Sequence, residues 1–259
     1  MPQTLERVEV LGCQLDPLTM EQTVARCDEL IQDNGFAQHM AINAAKLVTL
    51  QNDDKLRAIV NRCELINADG QSVVWASKLL GQPLPERVAG IDLMHRLMGL
   101  AAERGYPVFV LGAQQEVLER AVANLRDQYP GLQFGGYRHG YFSDDETAAV
   151  CDEIRASGAR ILFVAMSSPR KEYFLGEHGR ALGVPLVMGV GGSIDVVAGV
   201  TRRAGTRWQK LGLEWLYRLL QEPKRMFGRY ARTNSRFIWL VARAKVQRRS
   251  RPSGQDATA

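Results

Sequence analysis

Short apolar runs and longer amphipathic segments alternate along most of the chain. The runs at 8–11, 39–42, 64–67, 107–111, 132–134, 160–165 and 184–190 read as strands. Between most of them apolar residues recur at three- and four-residue spacing, over 19–32, 71–80, 91–104, 114–128, 145–156 and 170–182, which predicts helices. The uninterrupted stretch 161–166 fits a strand buried on both faces. Such alternation predicts an α/β fold with a largely parallel central sheet and flanking helices.

Past residue 200 the pattern changes. Leu211, Leu213, Trp215, Leu216, Leu219 and Leu220 form an apolar stripe near helical spacing. Pro223 suits the first turn of a second helix carrying Met226, Phe227 and Tyr230. Thr233, Asn234 and Ser235 are N-cap candidates for a third, with Phe237, Ile238, Trp239, Leu240 and Val241. The expected division is an α/β body over 1–200, a basic amphipathic helical appendage over 201–247 and a disordered tail over 248–259.

Composition narrows the class. A chain of 259 residues, 46% hydrophobic and 24% charged, has the make-up of a globular protein and is no disordered or fibrous polymer. Its longest apolar stretch, 184–200, contains Asp195 and several glycines and is short for a membrane span. Glu6, Arg7 and Glu9 break any apolar N-terminal region, so no signal peptide is expected and the location reads as cytoplasmic. Cys13, Cys27, Cys63 and Cys151 form no C-x-x-C pair and read as reduced, partly buried thiols.

Charge adds a partner. Residues 1–200 hold 18 Lys and Arg against 25 Asp and Glu, whereas 201–259 hold 15 against 3. A basic appendage interleaved with aromatic residues suits an anionic membrane surface. The bland alternative is a helix packed on the body with a solvated basic face. Nucleic acid is not the expected partner, because nothing upstream resembles a base-reading module.

In parallel sheets, ligands gather beyond the carboxyl ends of the strands. Asp69 lies there, before a helix. It reads either as the N-cap of that helix or as a general base. Asn43 follows an earlier strand and could orient a sugar or cap a helix. Gly189, Gly191, Gly192 and Ser193 form a strand–turn–helix junction whose backbone N–H groups could meet phosphate, Ser193 serving as the cap. The bland reading of these glycines is a turn needing positive φ. VLGAQQE (110–116) is a second such junction. Arg170 and Lys171 follow a buried strand at the start of a helix, where a cation is unhelped by the helix dipole and a diphosphate would suit it. Arg87, in a Pro-rich loop, could also reach phosphate, or be a plain surface residue. No G-x-G-x-x-G, G-x-S-x-G or H-E-x-x-H occurs, so dinucleotide, serine-hydrolase and zinc-protease signatures are missing.

Taken in order, INADGQSVVWASKLLGQPLPERVAGIDLM (66–94), HGYF (139–142), MSSPRKEYF (166–174), VMGVGGSIDVVAGVTRRA (187–204) and LGLEWLYRLLQEPKR (211–225) resemble the blocks of the WecG/TagA/CpsF family of bacterial glycosyltransferases. The resemblance runs from about residue 8 to about residue 240. It implies a modified Rossmann-like body with a helical C-terminal appendage that meets the membrane. It implies inverting transfer from a UDP-sugar to a polyprenyl-diphosphate-linked sugar at the inner face of the cell membrane, without metal or other cofactor, in cell-surface polysaccharide synthesis. Asp69 falls on the family's proposed base, and Asn43, Arg87 and Asp195 match their blocks. Lys171, Arg87, the 189–193 turn (with Gly191, Gly192 and Ser193) and arginines of the appendage are then the groups that would stabilise departing UDP. The chain departs from the family at Ala41, where a Thr is usual, and at Lys171, where an ammonium replaces a neutral Gln amide. A homo-oligomer is compatible with the sequence. The competing enzyme class is a nicotinamide-dependent oxidoreductase, which the missing glycine fingerprint and the basic appendage disfavour. The competing non-enzyme class is a nucleic-acid binder that uses its basic tail.

Overall fold

The computed structural model describes residues 6–205, 208, 214–221 and 223–249. Leu211 and Leu213 of the expected stripe, and 250–259 of the expected disordered tail, lie outside these residues.

The chain opens with a hairpin, β1 (Val8–Val10) and β2 (Cys13–Leu15), paired antiparallel. Leu11 and Gly12 both have positive φ, as a two-residue primed turn requires. The run at 8–11 is therefore a strand, but it does not join the main sheet. Next come α1 (Met20–Gln32), β3 (Ala37–Ile42), α2 (Ala44–Leu50), α3 (Asp54–Asn61), β4 (Leu65–Ala68), α4 (Gln71–Leu79) and α5 (Gly90–Arg104). The second half supplies β5 (Val108–Gly112), α6 (Gln115–Gln128), β6 (Phe134–Arg138), α7 (Thr147–Ala156), β7 (Ile161–Ala165), α8 (Arg170–His178), β8 (Leu186–Gly189) and the short α9 (Ser193–Val197).

Six strands form one parallel sheet in the order β4-β3-β8-β7-β5-β6. The fold is thus α/β and Rossmann-like, as the sequence led one to expect. Alternate residues of each strand serve opposite faces. On one face Val108, Val110, Ile161, Phe163, Leu186 and Met188 pack against α1, α5, α6 and α9. On the other, Leu162, Val164 and Val187 meet α7 and α8, while Met40, Ile42, Ile66 and Ala68 meet α2, α3 and α4. The exposed edge of β4 is blunted by the chain after β2: Ile66 N–H donates to Asp16 Oδ2, and Asp16 N–H donates to Ile66 O.

Two helices follow the body: α10 (Glu214–Gln221) and α11 (Pro223–Arg249). The second is continuous, so Thr233, Asn234 and Ser235 lie inside it and cap nothing. The expected third helix is the second half of α11. Pro223 does open it, where a missing N–H costs no helical bond. The helix also runs two residues past the expected boundary, through Arg248 and Arg249. Phe237, Leu240 and Val241 are buried, and Phe237 and Val241 join the cluster built from Val10, Leu47 and Leu80. Arg248 donates to the carbonyl oxygens of Leu80 and Glu9. The far end of the appendage is therefore docked on the body.

Candidate active site

The carboxyl ends of β3, β4, β7 and β8 converge on one edge of the sheet. β3 leads outward to β4, while β8 leads away to α9 on the opposite face, so the chain departs in different directions from these two neighbours. Such a crevice is the usual ligand site of parallel sheets.

Asp69 follows β4 at this edge. It does not cap α4, whose N-cap is Gly70 without a side-chain bond. Instead its Oδ1 accepts the N–H of Gly90, the first residue of α5, at 2.8 Å. The N-cap reading is thereby corrected: the carboxylate serves a different helix, 21 residues on. Ala41 completes this corner. A Cβ built on Gly90 would lie 3.7 Å from Ala41 Cβ and 3.9 Å from Asp69 Oδ1, so a larger side chain at 90 would crowd the carboxylate. Asn43 lies beside it, with its Cβ 3.4 Å from where a Gly70 Cβ would be. Asn43 is the N-cap of α2, accepting Lys46 N–H at 3.0 Å.

The next corner lies at the end of β8. Gly191 has a left-handed φ of +49°, the backbone requirement that only glycine meets at no steric cost. Its N–H donates to Val164 O, and Ser193 N–H donates to Val190 O. Ser193 is the first helical residue and not the cap; Gly192 holds that position and offers no side chain. Asp195 sits in the first turn of α9, with its carbonyl accepting Val200 and Thr201 N–H. Burial raises the pKa of its carboxyl, partly offset by its own backbone N–H.

Lys171 crosses this corner. A Cβ on Gly189 would fall 2.7 Å from Lys171 Cε, so that glycine makes room for the lysine stem. Lys171 is buried and ion-paired with Glu172 Oε1 at 2.8 Å, and Lys46 Nζ bonds to the same oxygen. A solvated start of the helix, the bland reading of a Lys at this place, is thus excluded for Lys171. Burial, then the neighbouring Lys46 charge, lower the Lys171 pKa. Burial opposes ionisation of Glu172, but Lys46 and Lys171 hold its pKa below the usual carboxylate value. The sequence pattern does not single out Lys46 and Glu172 as site residues, although both lie in segments that follow strand ends, 42–46 and 164–172. A second signal is a lysine three residues after Asn43, beside the buried Leu47 of a helix that otherwise turns apolar side chains to the sheet.

Two expected phosphate contacts are otherwise engaged. Arg170 donates to the carbonyl oxygens of Gly140 and Phe142 and stacks on the Phe142 ring. It fixes the HGYF loop. Arg87 is ion-paired with Glu214 of α10 at 2.5 Å. Arg203 makes a bidentate pair with Asp92 at 2.6 and 2.7 Å, and its Nε lies 3.5 Å from Glu214 Oε1. These four residues tie α10 to the start of α5, beside Gly90. The glycine of the second junction has a steric role: a Cβ at Gly112 would fall 2.4 Å from the Ala165 backbone.

The cysteines are all unpaired and buried, and burial pushes Cys13 and Cys27 up to about 12. Among the described residues no group of three or more His, Cys, Asp or Glu could hold a metal ion. No helix among them is long and apolar enough to cross a membrane.

An acid thus stands at the mouth of a parallel sheet, with a glycine turn and two buried lysines in the adjoining corner. The family model of the WecG/TagA/CpsF glycosyl transferases matches residues 8–251, nearly the whole chain, and the protein belongs to that family, whose members are glycosyltransferases of cell-surface polysaccharide synthesis.

Proposed function

We propose that the protein transfers a hexose or N-acetylhexosamine from a UDP-sugar to a polyprenyl-diphosphate-linked acceptor, inverting the anomeric carbon. The observation that carries this reading is the placement of Asp69. It stands at the mouth of the crevice beside Ala41, Asn43 and Gly90, and its carboxylate is oriented by a backbone N–H. A carboxylate so held can take the proton of an acceptor hydroxyl as its oxygen attacks the anomeric carbon. UDP leaves from the opposite face. Its developing charge needs fixed positive groups. Lys171 adjoins the acid's corner and supplies such a group. In the 189–193 turn the N–H groups of Val190, Gly191 and Ser193 already donate within the fold, so Gly192 N–H is the donor this reading assigns to phosphate. Arg87 joins them when Glu214 releases it. Asp195, beside Gly192, is placed to accept a donor hydroxyl or base N–H.

The appendage supports membrane attachment from the inner, cytoplasmic face. Trp239 lies on the outer face of α11, 46% exposed, with Arg236 and Arg243 stacked on its ring. Ile238 and Val246 are exposed on the same helix, and Trp75 and Leu79 on α4, whose end Lys245 reaches. Aromatic, aliphatic and guanidinium groups together suit an anionic interface.

The test is release of UDP from a panel of UDP-sugars with a lipid-diphosphate acceptor, with and without EDTA. Transfer that survives EDTA supports cations and backbone as the leaving-group clamp. Absence of transfer with every donor, alongside hydride transfer or nucleic-acid binding, would refute the reading.

A further inference from the structure

Lys46, Glu172 and Lys171 form a charge cluster that ordinary packing does not explain. Lys46 comes from α2, beneath Asn43, and Glu172 and Lys171 from α8. All three are buried, with Glu172 at 0% exposure. Both ammoniums bond to a single oxygen, Glu172 Oε1. The other oxygen, Oε2, is buried with no hydrogen-bond partner among the described residues. With both ammoniums protonated, two cations share one anion and the cluster carries one positive charge in excess. Burial and the neighbouring Lys46 charge disfavour that state and lower the Lys171 pKa, so an arriving anion would stabilise the charged form.

The surplus stands at the crevice. Lys171 passes over Gly189 at the end of β8, where any side chain at 189 would displace it. Lys46 N–H is held by Asn43, next to Gly70 and hence to the corner of Asp69. The cluster thus links the two corners of the site.

We propose that this cluster is a binding site for an anionic oxygen group of the substrate, with Lys171 as the contacting cation and Lys46 and Glu172 as its positioning residues. Two groups of a sugar nucleotide present that chemistry: the diphosphate, and a carboxylate on a uronic-acid sugar. Glu172 fixes the Lys171 ammonium in place, and Lys46 supplies the charge that leaves the cluster cationic. The proposal rests on the sugar-transfer reading above, and it extends that reading from Lys171 to a three-residue unit.

The experiment measures binding of UDP, uridine, UDP-glucuronic acid and UDP-glucose to the full-length protein. The variants are Lys171→Gln, Lys46→Met and Lys46→Arg, each checked for folding by thermal melting. If the anion is the diphosphate, Lys171→Gln weakens UDP about 10-fold or more relative to uridine, the scale of one charged hydrogen bond. If it is a sugar carboxylate, UDP is unaffected and the preference for UDP-glucuronic acid over UDP-glucose falls by about as much. Lys46→Met lowers the cluster charge equally and should reproduce the same loss, while Lys46→Arg restores binding. A structural role for Lys46 would lower stability without moving either ratio. Folded Lys171→Gln that leaves both ratios unchanged overturns the proposal, as does Lys46→Arg that binds no better than Lys171→Gln. In those cases UDP still binds and the sugar-transfer reading stands. A wild-type chain that binds neither UDP nor any UDP-sugar overturns both.

Discussion

Asp69 Oδ1 accepts the backbone N–H of Gly90 at 2.8 Å, joining the end of β4 to the start of α5. The acid proposed to activate the acceptor is therefore also an anchor. The bond leaves the carboxylate's orientation fixed before substrate arrives, and it places a negative charge at a helix N-terminus, where the dipole favours it.

The two roles separate by substitution. Asp69→Asn keeps an oxygen for Gly90 N–H but removes basicity, so turnover should fall at least about 100-fold with melting temperature and UDP binding nearly kept. Asp69→Ala loses the bond as well and should cost about 1 kcal/mol of stability in addition. Asp69→Asn with near-normal turnover would remove Asp69 as the base.

The appendage is part of the core. Phe237 is 6% exposed and packs in the cluster that includes Val10 and Leu80. Phe237→Ala should cost about 3 kcal/mol, lowering the melting temperature by roughly 6 °C or more. An unchanged melting temperature would mean that α11 is undocked in solution. Deleting residues 201–259 would strip this contact too, so truncation is a poor probe of membrane binding.

The outer face of α11 is the better probe, because its substitution leaves the docked face intact. Trp239→Ala combined with Arg236→Glu and Arg243→Glu should weaken binding to anionic vesicles by about 1 kcal/mol or more for each charge, with the melting temperature little changed. Co-sedimentation at low and high salt reads the effect. Equal sedimentation of wild type and variant would exclude this face as the contact.

His39 makes stability depend on pH. It is 1% exposed, bonded through Nε2 to Asn67 Oδ1. Burial lowers its pKa from 6.5 to about 4, with the Asn67 bond opposing and the Lys46 charge assisting. The native state keeps His39 neutral while the unfolded chain binds a proton below 6.5. Its contribution is thus fully present above pH 6.5 and lost as pH falls toward 4, about 3 kcal/mol in all. In urea titrations, His39→Gln should flatten that slope. A slope that is the same in both proteins would place the titration elsewhere.

The sequence by itself determined the alternation of strands and helices, since burial on both sides of a parallel sheet demands apolar runs such as 161–165 and one-sided helices between them. It also marked the segments at the carboxyl ends of the strands, and with them Asp69, Asn43 and the turn at Gly191. It did not reveal α2 and α3 as helices, because at 7 and 8 residues each spans about two turns, too few for the apolar period to repeat. It split α11 at Thr233–Ser235 because cap-forming residues carry the same local signal inside a helix as at its start. Only the tertiary structure decided the partners. Asp69 meets Gly90, Arg87 meets Glu214, and Lys46 meets Glu172 across 21, 127 and 126 residues. Electrostatic pairing and hydrogen bonding act through space, and no spacing along the chain encodes which charges the fold will bring within 3 Å of one another.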